Sequence, residues 1–184
     1  SGHGADTGWT GYAPYSVSEG THAGTTMWAA GQILLVASST LTGINFLTTM
    51  AVMRAPGMGW MQMPLFSWSI LVANVMLFLS IPAFGVGLIQ VYLDRVIGTA
   101  FYDIQAGGDP LLWSHLFWYF GHPEVYVVIL PSFGIISEVL ATSSRRSVFG
   151  YRSMVYALAG IGVVAFIVYG HHMFTRGMSP TLRF

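Results

Sequence analysis

The chain is 184 residues long, 54% hydrophobic and only 8% charged, with seven Arg, no Lys and a formal net charge of zero. Soluble domains carry about 25% charged residues, so most of this chain's surface must face lipid. Zero Cys excludes disulfides, thiolate metal sites and cysteine nucleophiles, and the balanced charge leaves no basic footprint for nucleic acid.

Residues Ser1 to Gly20 lack both a starting Met and the basic-then-apolar pattern of a signal peptide. The last residues, Thr181 to Phe184, carry no terminating signal, and both ends read as cuts through a longer polypeptide. Between them lie four apolar runs, Met27–Met53, Phe66–Leu93, Leu111–Leu140 and Ser153–Phe174. Each reaches the roughly 20 helical residues that cross a bilayer of about 30 Å. The first three are longer and are expected to tilt or project. Unbroken hydrophobicity excludes barrel strands, leaving an all-α, polytopic transmembrane helix bundle. The connections Arg54–Leu65, Asp94–Pro110 and Ala141–Arg152 read as loops from their Gly, Pro and charged residues. The first and third carry Arg54, Arg145, Arg146 and Arg152 without an acid. The opposite side collects Arg95, Arg176 and Arg183 with Asp6, Glu19, Asp94, Asp103 and Asp109. The Arg excess favours a cytoplasmic position for the first and third loops.

The chemistry must come from the few polar residues inside the runs. Glu124 lies deep in the third, where an acidic side chain costs about 3 kcal/mol, and proton handling is the default role for such a group. His122 and Tyr126 are four residues apart and share one helical face, while Glu124 points elsewhere. Pro123 and Pro131 free carbonyls in the same run and predict a distorted helix. Gly170-His171-His172 closes the fourth run. Adjacent side chains in a regular helix diverge by about 100°, so one centre can take both histidines only where the helix ends. If the third and fourth runs are antiparallel neighbours, His122 meets the pair in one half of the membrane. Three imidazoles suit Cu, Zn, Fe or Ni, and ligand chemistry does not choose among them. His115 reads as an interfacial residue and Glu138 as a solvated rim charge. Ser38, Ser39, Thr40 and Thr42 read as small residues at a helix contact before they read as a water path. Trp118, Tyr119 and Phe120 read as bundle packing, with one face toward whatever fills the site.

The run Leu116-Phe117-Trp118-Tyr119-Phe120-Gly121-His122-Pro123-Glu124-Val125-Tyr126, followed by Ile129-Leu130-Pro131 and Gly134-Ile135-Ile136-Ser137, resembles subunit I of the haem–copper terminal oxidases. His171-His172-Met173-Phe174-Thr175 is similar to that family's second signature. The likeness continues through Leu41-Thr42-Gly43-Ile44-Asn45-Phe46, Met53-Arg54-Ala55-Pro56-Gly57-Met58, Pro64-Leu65-Phe66 and Phe149-Gly150-Tyr151. It implies that residues 1–184 are part of an oxidase subunit I, the fourth to seventh helices of twelve. His122, His171 and His172 would ligate one copper ion facing a haem, and dioxygen would be reduced to water between the metals. Tyr126 would be linked covalently to His122, and Glu124 would pass protons toward the centre and the pump. Ser38 and Ser39 would lie along the water path to Glu124, and Trp118 would stand near the haem–copper site. The ligands of the two haems, a path lysine and a path aspartate would lie outside this chain, which is therefore not expected to turn over alone.

The resemblance further implies an integral membrane enzyme, a proton-translocating cytochrome c oxidase, with other oxidase subunits and membrane lipid as partners. Electrons would come from cytochrome c through a copper-bearing second subunit. A bacterial plasma membrane is favoured over the mitochondrial inner membrane. Asp109-Pro110 and His115 resemble the branch that oxidises cytochrome c, whereas Ser137-Glu138 and Ser144-Arg145-Arg146 also occur in quinol-oxidising relatives, which are the alternative. A membrane proton channel or transporter using Glu124 is a reading from another class. An intramembrane zinc hydrolase is a third, weakened because Glu124 points away from His122.

Overall fold

A computed structural model describes residues 4–18, 22–177 and 179. Glu19 and Arg183, counted above among the charges, lie outside the described residues. Among the described residues all regular structure is helical, with α1 Ala23–Val52, α2 Leu65–Ile97, α3 Pro110–Ser144 and α4 Tyr151–Val168, the last continuing as a 3-10 turn over Tyr169–Met173. All four helices are long and apolar enough to cross a membrane, α1 to α3 at 30, 33 and 35 residues. They exceed the runs read from hydropathy because polar residues cap them instead of ending them. Asp94 and Arg95 close α2 as helix residues. Asp109 accepts a hydrogen bond from the Leu111 amide at 2.8 Å, just before Pro110 opens α3. Arg54 donates from Nη1 to the Met50 and Ala51 carbonyls at 2.7 and 2.9 Å, satisfying the end of α1, and its guanidinium lies 3.9 Å from the Trp60 ring centroid.

Pro123 and Pro131, expected to distort the helix, both lie inside α3. The helix is assigned without a break through Pro123 and Pro131. Each proline removes a single amide from a helix of 35 residues, and the ladder on either side survives.

Two compact units share the four helices: Ser1–Ser39, Ile81–Phe120 and Tyr169–Phe184 form the first, and Thr40–Ser80 with Gly121–Val168 the second. The core of the first is aromatic. Phe84, Tyr102, Trp113, Phe117 and Trp118 pack with Leu88, Val91 and Met173. The ring pairs include Phe84 with Phe120, stacked at 4.7 Å. Tyr102 is fully buried in the connection between α2 and α3, and its hydroxyl donates to Gln90 Oε1 at 2.6 Å. The Asp94 carboxylate organises the same connection, accepting from the amides of Phe101 and Tyr102, both at 2.9 Å.

The core of the second unit is aliphatic, with Leu65, Ala73, Met76, Leu130, Val155, Leu158 and Ala165. At Gly134 a Cβ would stand 2.7 Å from the Phe66 Cα and would also collide with Ser69 Oγ, so α2 and α3 meet backbone to backbone there. Glu138, expected to be solvated, instead reaches across from α3 and accepts from the Leu65 amide at 2.9 Å, capping the start of α2. Many other apolar side chains face outward, among them Leu34 at 72% and Ile167 at 75% exposure. Such surface is stable against lipid or further helices, not water.

Candidate metal centre

The 3-10 turn at the end of α4 solves the geometric problem of neighbouring histidines. Over Tyr169–Met173 the backbone tightens, and the rings of His171 and His172 come together at 4.0 Å between centroids and 36° between planes. Met173, fully buried, anchors the turn in the aromatic core. His172 lies flat on Trp118, centroids 3.7 Å apart and planes 2° from parallel. Trp118 is itself 8% exposed and donates from Nε1 to the Tyr12 hydroxyl at 2.8 Å. Sequence reasoning gave Trp118 to packing first and only one face to the centre, yet the indole is the surface on which one of the predicted ligands rests. Its spacing of four from His122 places the two on neighbouring turns of one face, a signal present in the sequence.

His122 is buried, two residues beyond the first unit's stretch of the same unbroken α3. Its ring centroid is 4.9 Å from that of Tyr126, the i,i+4 neighbour, as their shared helical face requires. Possible ligand atoms of His122, His171 and His172 all lie within 4.8 Å of one another. The donor set is wholly imidazole, a group that suits copper, zinc, iron or nickel and not a hard cation such as calcium. Three ligands from one turn and one helix leave coordination positions open for a further group. The residues present therefore fit a borderline transition metal.

Glu124 is half-buried, and its Oε2 is buried without a hydrogen-bond partner. His115 pairs edge-on with Tyr169 at 6.3 Å between centroids. Ser38 is exposed and Ser39 half-buried on α1.

Four apolar helices and a three-imidazole cluster define a polytopic membrane protein with a candidate transition-metal site. A family model for cytochrome c and quinol oxidase polypeptide I matches residues 1–184, and the chain belongs to that family. It is 46% identical over 175 residues to the cytochrome c oxidase subunit 1 proteins of Bacillus sp. (strain PS3) and Bacillus subtilis (strain 168), covering 95% of this chain and 28% of each relative. Against that of Cereibacter sphaeroides it is 45% identical over 178 residues, 97% of this chain and 31% of the relative. The chain thus spans less than a third of the length of these relatives.

Proposed function

We propose that this chain forms the copper-binding part of the oxygen-reducing subunit of a bacterial respiratory terminal oxidase, an oxidoreductase that takes electrons from cytochrome c and pumps protons. The convergence of His122, His171 and His172 is the observation that carries the reading. These three side chains would hold one copper ion. Copper bound there, together with a haem held by residues elsewhere in the subunit, would supply the redox chemistry that converts dioxygen to water.

This chain's own residues bind, orient and move protons. Trp118 fixes the plane of the His172 imidazole by stacking. Tyr126 stands beside His122 with a phenol able to deliver a proton and an electron, and a ring-to-imidazole link between the two is the family expectation. Glu124 presents a carboxyl oxygen without a hydrogen-bond partner inside the apolar bundle, where such a group takes up and releases protons. Ser38 and Ser39 would serve the water path leading to it. Cytochrome c is preferred to quinol because the matched relatives bear its name. Their bacterial sources support a bacterial plasma membrane.

The test uses the full-length subunit in its assembled oxidase. His122→Ala and His172→Ala are each expected to abolish oxygen uptake with reduced cytochrome c and to remove the bound copper, while haem absorption persists. Undiminished uptake in either variant overturns the reading. Proton flux that survives complete demetallation would support a channel instead.

A further inference from the structure

Behind the stacked His172 and Trp118 the contacts continue outward and return to the segment that bears the histidine. The Tyr12 oxygen accepts the Trp118 indole hydrogen at 2.8 Å. The opposite partner of Tyr12 is Arg176, whose guanidinium carbon lies 3.6 Å from the Tyr12 ring centroid. Arg176 stands four residues after His172, and its amide donates to the carbonyl of the fully buried Met173 at 3.0 Å. All of these residues belong to the first compact unit. From this closed circuit we infer that Arg176 is a positioning residue of the metal centre, acting through Tyr12 and Trp118 to hold the His172 imidazole in its ligating plane. The inference rests on the proposed reading that these imidazoles hold copper.

The reasoning is geometric. An imidazole ligand must present its nitrogen along one direction, and rotation about its side-chain bonds destroys that aim. A parallel stack at 2° between planes opposes the rotation only while the indole is itself fixed. The indole has a single polar handle, its N–H, and that handle is tied to Tyr12. Tyr12 lies outside any helix, and its half-buried ring packs on the aromatic core, 6.3 Å from that of Phe117. A guanidinium over the ring face adds a second constraint to that packing, since the negative face of the ring attracts the cation. Arg176 is exposed, and apolar packing does not account for the contact.

The experiment compares the assembled, copper-loaded oxidase with its Arg176→Gln, Arg176→Lys and Tyr12→Phe variants and the Arg176→Gln/Tyr12→Phe double variant. Equal haem content in all of them serves as the folding check. The first readout is the rate of copper loss to an excess of chelator. The second, independent of the metal, is the ultraviolet resonance Raman band of the Trp118 indole N–H, taken as the difference from a Trp118→Phe protein. Disturbing an outer partner of a ligating histidine costs about 10- to 100-fold in metal affinity, so Arg176→Gln and Tyr12→Phe should each release copper about 10-fold faster. The double variant should release it no faster than either single one, because both break the same circuit. Arg176→Lys, which keeps the cation, should stay within about two-fold of the parent. The indole band should move toward a weaker hydrogen bond in Tyr12→Phe and broaden in Arg176→Gln. Parental copper release with an unmoved indole band in Arg176→Gln overturns the inference, as do single effects that multiply in the double variant. A parent oxidase without copper overturns the metal reading instead, and the indole band still reports whether Arg176 holds the Tyr12–Trp118 contact.

Discussion

At the scale of single residues, the informative polar groups are those whose environment differs from what their neighbours in sequence suggest. Tyr102 is an example, since nothing in Phe101-Tyr102-Asp103 announces a buried phenol. Burial, with the nearby Asp94 charge second, raises its pKa above the ordinary tyrosine value near 10. The folded protein therefore favours the protonated phenol. Its stabilisation is complete below the unfolded pKa near 10 and is lost as pH rises from there toward the higher folded value. Thermal denaturation followed from pH 8 upward should show an alkaline loss of stability beginning near pH 10. In Tyr102→Phe that component should vanish, at the cost of the bond to Gln90 at every pH. An alkaline limb of equal size in both proteins would assign it elsewhere. The histidines were easier to read, because His122 and the His171-His172 pair are conspicuous in a chain with only six His and no Cys. Trp118 was legible through its spacing of four from His122, whereas Arg176 was not, because its contact depends on the Tyr12 segment folding back to meet it, which no local spacing encodes.

At the scale of elements, hydropathy located all four helices, and it failed at their ends for one physical reason. A helix terminus is set by who satisfies its last amides and carbonyls, and those partners are often distant in sequence. Glu138 lies 73 residues from the Leu65 amide it caps, so it read as a solvated rim charge. The close crossing of α2 and α3 is equally long-range, yet its signature, Gly134 opposite Ser69, is the small-residue pairing expected of membrane helices. A methyl at Gly134 would have to displace the α2 backbone at Phe66, not merely a side-chain tip. Gly134→Ala is therefore expected to destabilise the protein by about 1–3 kcal/mol, the usual cost of overpacking a tight contact. Gly160→Ala is the control, because a Cβ there meets nothing within 4 Å. Denaturation in mixed micelles should separate the two variants clearly, and similar midpoints would mean that the backbones can part without cost.

At the scale of the whole molecule, the parity of the four spans limits how the chain can be threaded through a membrane. Three connections separate four spans, so the α1–α2 and α3–α4 connections must share one side of the bilayer and the α2–α3 connection must lie on the other. The first and third hold Arg54, Arg145 and Arg146, with Arg152 just inside α4, and from that arginine bias we propose that they face the cytoplasm. These 184 residues contribute no Cys, so once any Cys elsewhere in the full-length subunit is replaced, an introduced thiol is labelled without background. Ser147 and Gln105 are exposed in the α3–α4 and α2–α3 connections. In intact cells expressing the full-length subunit, a membrane-impermeant maleimide should label Gln105→Cys and spare Ser147→Cys. In inverted vesicles the pattern should reverse. Labelling of both from the same side would remove at least one of the four spans, and a reversed pattern would place the arginine-rich connections outside, against the charge rule that orients them.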